Sequence, residues 1–129
     1  MPTGGGVLDA SVLLAVVLGE IDAAAAEPWF AEACMSAVNL SEVVARLADL
    51  GFRSALIAEG LAKFDLDVRA FDQAHAERAG LLRPVTRQQG LSLGDRACLA
   101  LAAELDRPAV TADRAWAGLD IGIRIELIR

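Results

Sequence analysis

The chain has 129 residues, 55% of them apolar, and a formal charge of -6 from 12 basic and 18 acidic side chains. That length suits one domain, and the apolar content supplies a core, which excludes intrinsic disorder. The acidic balance excludes attraction to nucleic acid through bulk positive charge but leaves open attraction through bound cations.

In chain order, residues 7–9 read as a short buried strand, and the apolar run over 11–18 is long enough for a helix that ends at Gly19. The run over 7–18 superficially resembles a signal-peptide core, but no basic residue precedes it and Asp9 interrupts it, so no targeting segment is expected. Residues 23–33 favour helix with a break at Pro28, and 35–39 read as a second strand. A helix follows over 42–50, with Val43, Leu47 and Leu50 on one stripe and Gly51 as its stop. Residues 54–64 form another amphipathic helix, and 66–71 alternate as a half-buried strand does. A helix runs from Asp72 to about Leu82, 84–90 is a polar loop, and Ser92 opens the best helix, over 95–105. Residues 108–111 are a buried strand and 123–127 an edge strand. Short apolar strands separated by helices predict an α/β fold: a single domain over 1–129 with an open, mostly parallel sheet of about five strands and helices on both faces.

Several features point away from other chemistries. Cys34 and Cys98 are too few and too far apart for a zinc site or a disulfide framework, and they read as fillers of a reduced, cytoplasmic core. The glycine triplet at 4–6 lacks a following Gly-Lys-Ser/Thr, so it is no phosphate loop. His75 lies mid-helix with Ala79 and Leu82 at helical spacing, a structural placement. No stretch reaches the ~18–20 uncharged apolar residues of a membrane span, and no membrane partner is expected.

The acidic residues are informative by position. Asp9 ends the first strand, Glu42 begins the helix after the second, Asp95 begins the long helix, and Asp113 follows the strand ending at Thr111. In an open parallel sheet the strand C-terminal ends share one edge, where ligands bind, so four distant carboxylates can meet there. Each also has a capping explanation: Asp9 for the helix after it, Glu42 as a first-turn charge, Asp95 in a Ser-x-x-Asp capping pattern with Ser92, Asp113 for the turn at 114–117. Taken together, like charges in one crevice repel and call for a divalent cation. An all-oxygen donor set suits Mg²⁺ or Mn²⁺, which serves phosphodiester hydrolysis by an activated water and needs no histidine base.

At these residues the sequence resembles the PIN-domain ribonucleases, specifically the VapC-type toxins of bacterial toxin–antitoxin pairs. The matching segments are VLDASVLL at 7–14, SAVNLSEVV at 36–44, LSLGDRACLAL at 91–101 and AVTADRAW at 109–116, in the same order. The resemblance implies a parallel sheet with the first strand central and a Mg²⁺- or Mn²⁺-dependent endoribonuclease with Asp9, Glu42, Asp95 and Asp113 as its acidic quartet. It further implies supporting roles for Ser11 and Thr111 beside the quartet and for Asn39 as a brace before the acidic helix; Ser11 also fits a plain helix start. A cognate antitoxin, with the Trp29 and Phe30 segment as an apolar receptor or simply as core, and a homodimer are implied as well. Arg87, Arg96 and Arg114 lie in or near the segments that frame the crevice and are the expected RNA contacts, against a solvated or ion-paired alternative. Trp116 is expected to pack rather than to stack on a base.

Two other aspartate-based chemistries fail on specific residues. A receiver-type phosphoacceptor needs a late strand-end lysine, whereas the one lysine, Lys63, sits mid-chain; a dehalogenase-type phosphatase needs Asp-x-Asp where this chain has Asp9, Ala10 and Ser11. The alternatives that stay open are a non-catalytic docking module with the same acidic pocket and a PIN ribonuclease of RNA processing.

Overall fold

The computed structural model describes residues 5–129; the first glycine of the 4–6 triplet lies outside the described residues. Five strands, β1 (Val7–Leu8), β2 (Cys34–Ser36), β3 (Asp67–Arg69), β4 (Ala109–Thr111) and β5 (Ile125–Leu127), form one sheet in the order β3-β2-β1-β4-β5. Every pairing is parallel, and β1 is central, with Val7 opposite both Cys34 and Ala109. The crossovers carry α1 (Ala10–Val17), α2 (Ala23–Phe30), α3 (Ala37–Asp49), α4 (Ser54–Ala62), α5 (Gln73–Leu81) and α6 (Leu93–Leu105).

Strand alternation sorts the core into two layers. Val7, Cys34 and Ala109 face a cluster with Cys98, Leu99, Leu101 and Trp116, under α6. Their neighbours Leu8, Met35 and Val110 face Val12, Leu13, Val43, Leu47 and Ile57, under α1, α3 and α4. Because both faces are covered at the centre of the sheet, β1 and β4 are apolar at 7–8 and 109–110, while the edge strands carry charge, Asp67 and Arg69 in β3 and Glu126 in β5.

Several elements differ from the sequence expectation, among them β3, which is confined to Asp67–Arg69 and is more exposed than a half-buried strand over 66–71. The second strand is shifted to Cys34–Ser36, because the Ser36 hydroxyl accepts from the Val38 amide at 3.2 Å and caps a helix that starts at Ala37. Asn39 is therefore helical, and Glu42 falls in the second turn rather than the first. The expected loop at 84–90 is a 3-10 helix, Pro84–Gln89, opened by Pro84 and stopped by Gly90 at φ +66°. Pro28 does not end α2 but sits two residues before its end, where the carbonyl it leaves unpaired, that of Ala24, belongs to an exposed residue. Across these variations the strand C-terminal ends, at Leu8, Ser36 and Thr111, share one edge of the sheet.

Candidate active site

Asp9 follows β1 directly. Its amide donates to the Val110 carbonyl at 3.0 Å, extending the pairing with β4, and its side chain caps α1 by accepting from the Val12 amide at 3.3 Å. The residue is 3% exposed. Two hydroxyls orient it: Ser11 donates to Oδ1 and Thr111 to Oδ2, each at 2.6 Å. Each hydroxyl has one proton and gives it to Asp9, while Ser11 Oγ accepts from the Ala112 amide at 2.9 Å and Thr111 Oγ1 from the Asp113 amide at 3.0 Å. The network fixes the turn after β4 relative to the end of β1. Burial pushes the Asp9 carboxyl above its ordinary range, against the pull of these hydrogen bonds, and the charge of Asp95 adds to the rise.

Glu42 reaches the same edge from α3. Its Oε1 accepts from Asn39 Nδ2 at 3.1 Å, and Asn39 Nδ2 also donates to the Gly94 carbonyl at 3.0 Å, linking α3 to the first turn of α6. The Glu42 carboxyl is also raised, first by desolvation and then by Asp95 and Asp9, despite the Asn39 bond that lowers it. Three of the expected carboxylates thus lie within electrostatic reach of one another. Gly94 has no chemical group to announce it, but a glycine inside a helical pattern signals a close approach: a Cβ there would overlap the Glu42 carboxylate.

Asp95 and Asp113 meet their capping explanations in full. Asp95 accepts from the Ser92 amide at 3.0 Å while Ser92 Oγ accepts from the Asp95 amide at 3.2 Å, a reciprocal capping box. Asp113 is exposed and caps the 3-10 helix Arg114–Gly118 through the Ala115 amide at 2.9 Å. Asp113 is not among the charges that raise Asp9 and Glu42. As the side chains stand, no three His, Cys, Asp or Glu among the described residues are grouped to hold a metal ion, since two carboxylates are turned to their own helix starts. The donor set nevertheless fits a hard divalent cation. It is all oxygen, the buried Asp9 and the more exposed Glu42 both have carboxyls held above their usual range by desolvation and by the charge of Asp95, and Asn39 Oδ1, buried one helical turn before Glu42, accepts no hydrogen bond from the protein.

The three expected RNA contacts separate. Arg87 and Arg114 are exposed, but Arg96 is drawn inward to 9% exposure and donates to the Ala79 carbonyl at 3.0 Å. That carbonyl belongs to the last turn of α5, whose acceptors lack helical partners, so Arg96 is a brace between α5 and α6 and not a free contact. Trp116 is fully buried in the α6 layer and packs, as expected. Trp29 and Phe30 are half-buried against the other layer, Phe30 with its ring centroid 5.2 Å from that of Phe64, so the core accounts for them. His75 is buried between the Ala70 carbonyl, at 3.0 Å, and the Glu104 carboxylate, partners that account for both ring nitrogens. The thiols of Cys98 and Cys34 are buried and raised by desolvation, which keeps them protonated and inert.

The family model described as the PIN domain matches residues 6–121. The chain belongs to the PIN domain family. Among solved structures, this PIN domain is similar to VapBC2 from Rickettsia felis bound to a DNA fragment from its promoter, with a TM-score of 0.77 at 15% identity, covering 95% of this chain and 98% of that one. It is also similar to VapBC-5, a toxin–antitoxin system member from Mycobacterium tuberculosis, with a TM-score of 0.61 at 27% identity and 98% of both chains covered. The DNA-bound VapBC of Salmonella typhimurium matches with a TM-score of 0.70 at 19% identity over 96% and 98%. Among curated proteins, none matches the sequence significantly. The PIN assignment agrees with the parallel sheet and central first strand, and no helix among the described residues is long and apolar enough to cross a membrane.

Proposed function

We propose that this PIN domain is a VapC-type toxin: an endoribonuclease that hydrolyses RNA phosphodiester bonds with Mg²⁺ or Mn²⁺ and is neutralised by a cognate antitoxin. The observation that carries the reading is Asp9, a carboxylate buried at the end of the central strand, oriented by two hydroxyls and raised by burial beside Asp95. A site of that kind favours a bound cation. The similarity to VapBC-5 across nearly the full length of both chains supports the toxin assignment.

Asp9, Glu42 and Asp95 would hold the cation, with Asp113 joining once its side chain turns from the Ala115 amide. A bound cation would supply water activation and charge neutralisation at the scissile phosphate. The protein's own residues do the placing: Ser11 and Thr111 fix both oxygens of Asp9, and Asn39 holds Glu42 against α6. Arg114, one residue beyond Asp113, and Arg87 are free to meet substrate phosphates. A partner helix has an apolar depression of about 160 Å³ between α1, α3 and α4, lined by Val17, Leu47, Phe52, Leu56, Ile57 and Leu61, with Phe52 and Leu56 exposed. Homodimerisation, checked by light scattering, is part of the same proposal.

The test is cleavage of cellular RNA by antitoxin-free protein with Mg²⁺ or Mn²⁺, followed by end mapping. Products with 5′-phosphate and 3′-hydroxyl ends, and loss of activity in Asp9→Asn and Asp95→Asn, are expected. Undiminished cleavage in excess EDTA would overturn the metal mechanism. Absence of cleavage under all metal conditions would favour the docking-module reading, which draws on the capping bonds that now occupy Asp95 and Asp113.

A further inference from the structure

Glycine is a weak helix former, yet Gly94 occupies the first turn of α6, a buried helix with a complete capping box. The space that its side chain would fill is taken by the Glu42 carboxylate, which a Cβ at position 94 would overlap at both oxygens. Asn39 closes the arrangement. Its two amide hydrogens go one to Glu42 Oε1, at 3.1 Å, and one to the Gly94 carbonyl, at 3.0 Å. The side chain is 1% exposed. One amide thus holds together the carboxylate of α3 and the backbone of α6, two helices that lie on opposite faces of the sheet.

We propose that Gly94 is a positioning residue: the absence of its side chain is what seats Glu42 against the first turn of α6, beside Asp95, with Asn39 as the clamp. The atoms that a methyl group would meet are the far end of a flexible side chain and not backbone. Gly94→Ala therefore displaces Glu42 and leaves the fold in place. The inference rests on the nuclease reading only for what Glu42 does once seated; the seating is geometry.

The test begins with the side-chain amide signals of Asn39 in ¹⁵N-labelled protein, a readout that needs neither metal nor activity. Glu42→Ala identifies the proton donated to Glu42 by its shift. Gly94→Ala is expected to move the same proton in the same direction, and the double variant is expected to match Glu42→Ala alone. Mn²⁺ affinity is expected to fall about tenfold in Gly94→Ala, the scale of loss when a ligand's support is removed, with no further loss when Gly94→Ala is added to Glu42→Ala. Unmoved Asn39 signals in Gly94→Ala, or losses of affinity that add in the double variant, overturn the proposal. Should Gly94→Ala unfold the chain, adding Glu42→Asp, whose shorter side chain clears the methyl, must restore folding; failure to do so also overturns it. A wild-type protein that neither binds Mn²⁺ nor cleaves RNA removes the nuclease reading, while the Asn39 signals still decide where Glu42 is seated.

Discussion

Asp9, the residue on which the nuclease proposal rests, is held buried at the expense of stability. Its carboxyl is raised in the folded chain chiefly by burial, so folding opposes its ionisation. The native state binds the proton more tightly than the unfolded state, and stability falls as pH rises from the ordinary carboxylate value of 3.8 through the raised one. Above that window the penalty is fully present; below it the penalty is gone. Asp9→Asn is accordingly expected to unfold a few degrees higher than wild type at pH 7 without metal, with the advantage vanishing at acidic pH, while cleavage is lost. Melting curves across pH with and without Mn²⁺ check this, and the metal should raise the midpoint of wild type only. Arg96 gives the opposite case. Arg96→Ala leaves the Ala79 carbonyl unpaired and is expected to cost about 1–3 kcal/mol in denaturant unfolding, with cleavage per folded molecule unchanged; Arg114→Ala should weaken RNA binding with stability intact. The carboxylates were legible in the sequence because a charge beside an apolar strand is conspicuous. The fate of Arg96 was not, because its burial depends on how α5 and α6 pack, which no local pattern encodes.

At the scale of elements, most of the fold follows from punctuation and period. Gly19 and Gly51 fall just past α1 and α3, and both take positive φ. Apolar content misleads where a polar side chain outweighs it. Residues 35–39 look like a strand until the Ser36 hydroxyl caps a helix that absorbs Val38 and Asn39. The same capping logic makes α6 testable. Ser92→Ala removes one half of its capping box and is expected to lower stability by about 1 kcal/mol, read from the denaturation midpoint at constant m-value. Pro84–Gln89 shows the converse, a polar stretch that reads as loop and still forms a 3-10 helix because proline and Gly90 bound it.

For the whole molecule, the sheet order brings carboxylates from β1, α3 and α6 to one edge, and the net charge of -6 takes on a local meaning. With the quartet assigned to cation binding, the remaining charges come close to balance, so nucleic acid should be recruited through metal and a few exposed arginines. RNA binding by Asp113→Asn, a variant that keeps Arg114 and that the proposed mechanism expects to cleave poorly, is expected to strengthen with Mg²⁺ and to show a shallow dependence on monovalent salt, since few phosphates are neutralised by side chains. A steep salt dependence without Mg²⁺ would count against this. Parallel connectivity was legible because strands alternate with helices; the pairing order was not, because register and neighbour choice arise from long-range packing.

The capping box of α6 also bears on metal loading. Asp95 holds the start of its helix through one oxygen, Oδ2, on the Ser92 amide, and in the proposed nuclease a cation would draw on the same carboxylate. An ion that took Oδ2 would loosen the helix start that the carboxylate fastens. Hydrogen exchange at the Ser92 amide would then quicken as Mn²⁺ binds, even as the rest of the molecule becomes more protected; unchanged exchange at Ser92 would mean that the ion uses the other oxygen.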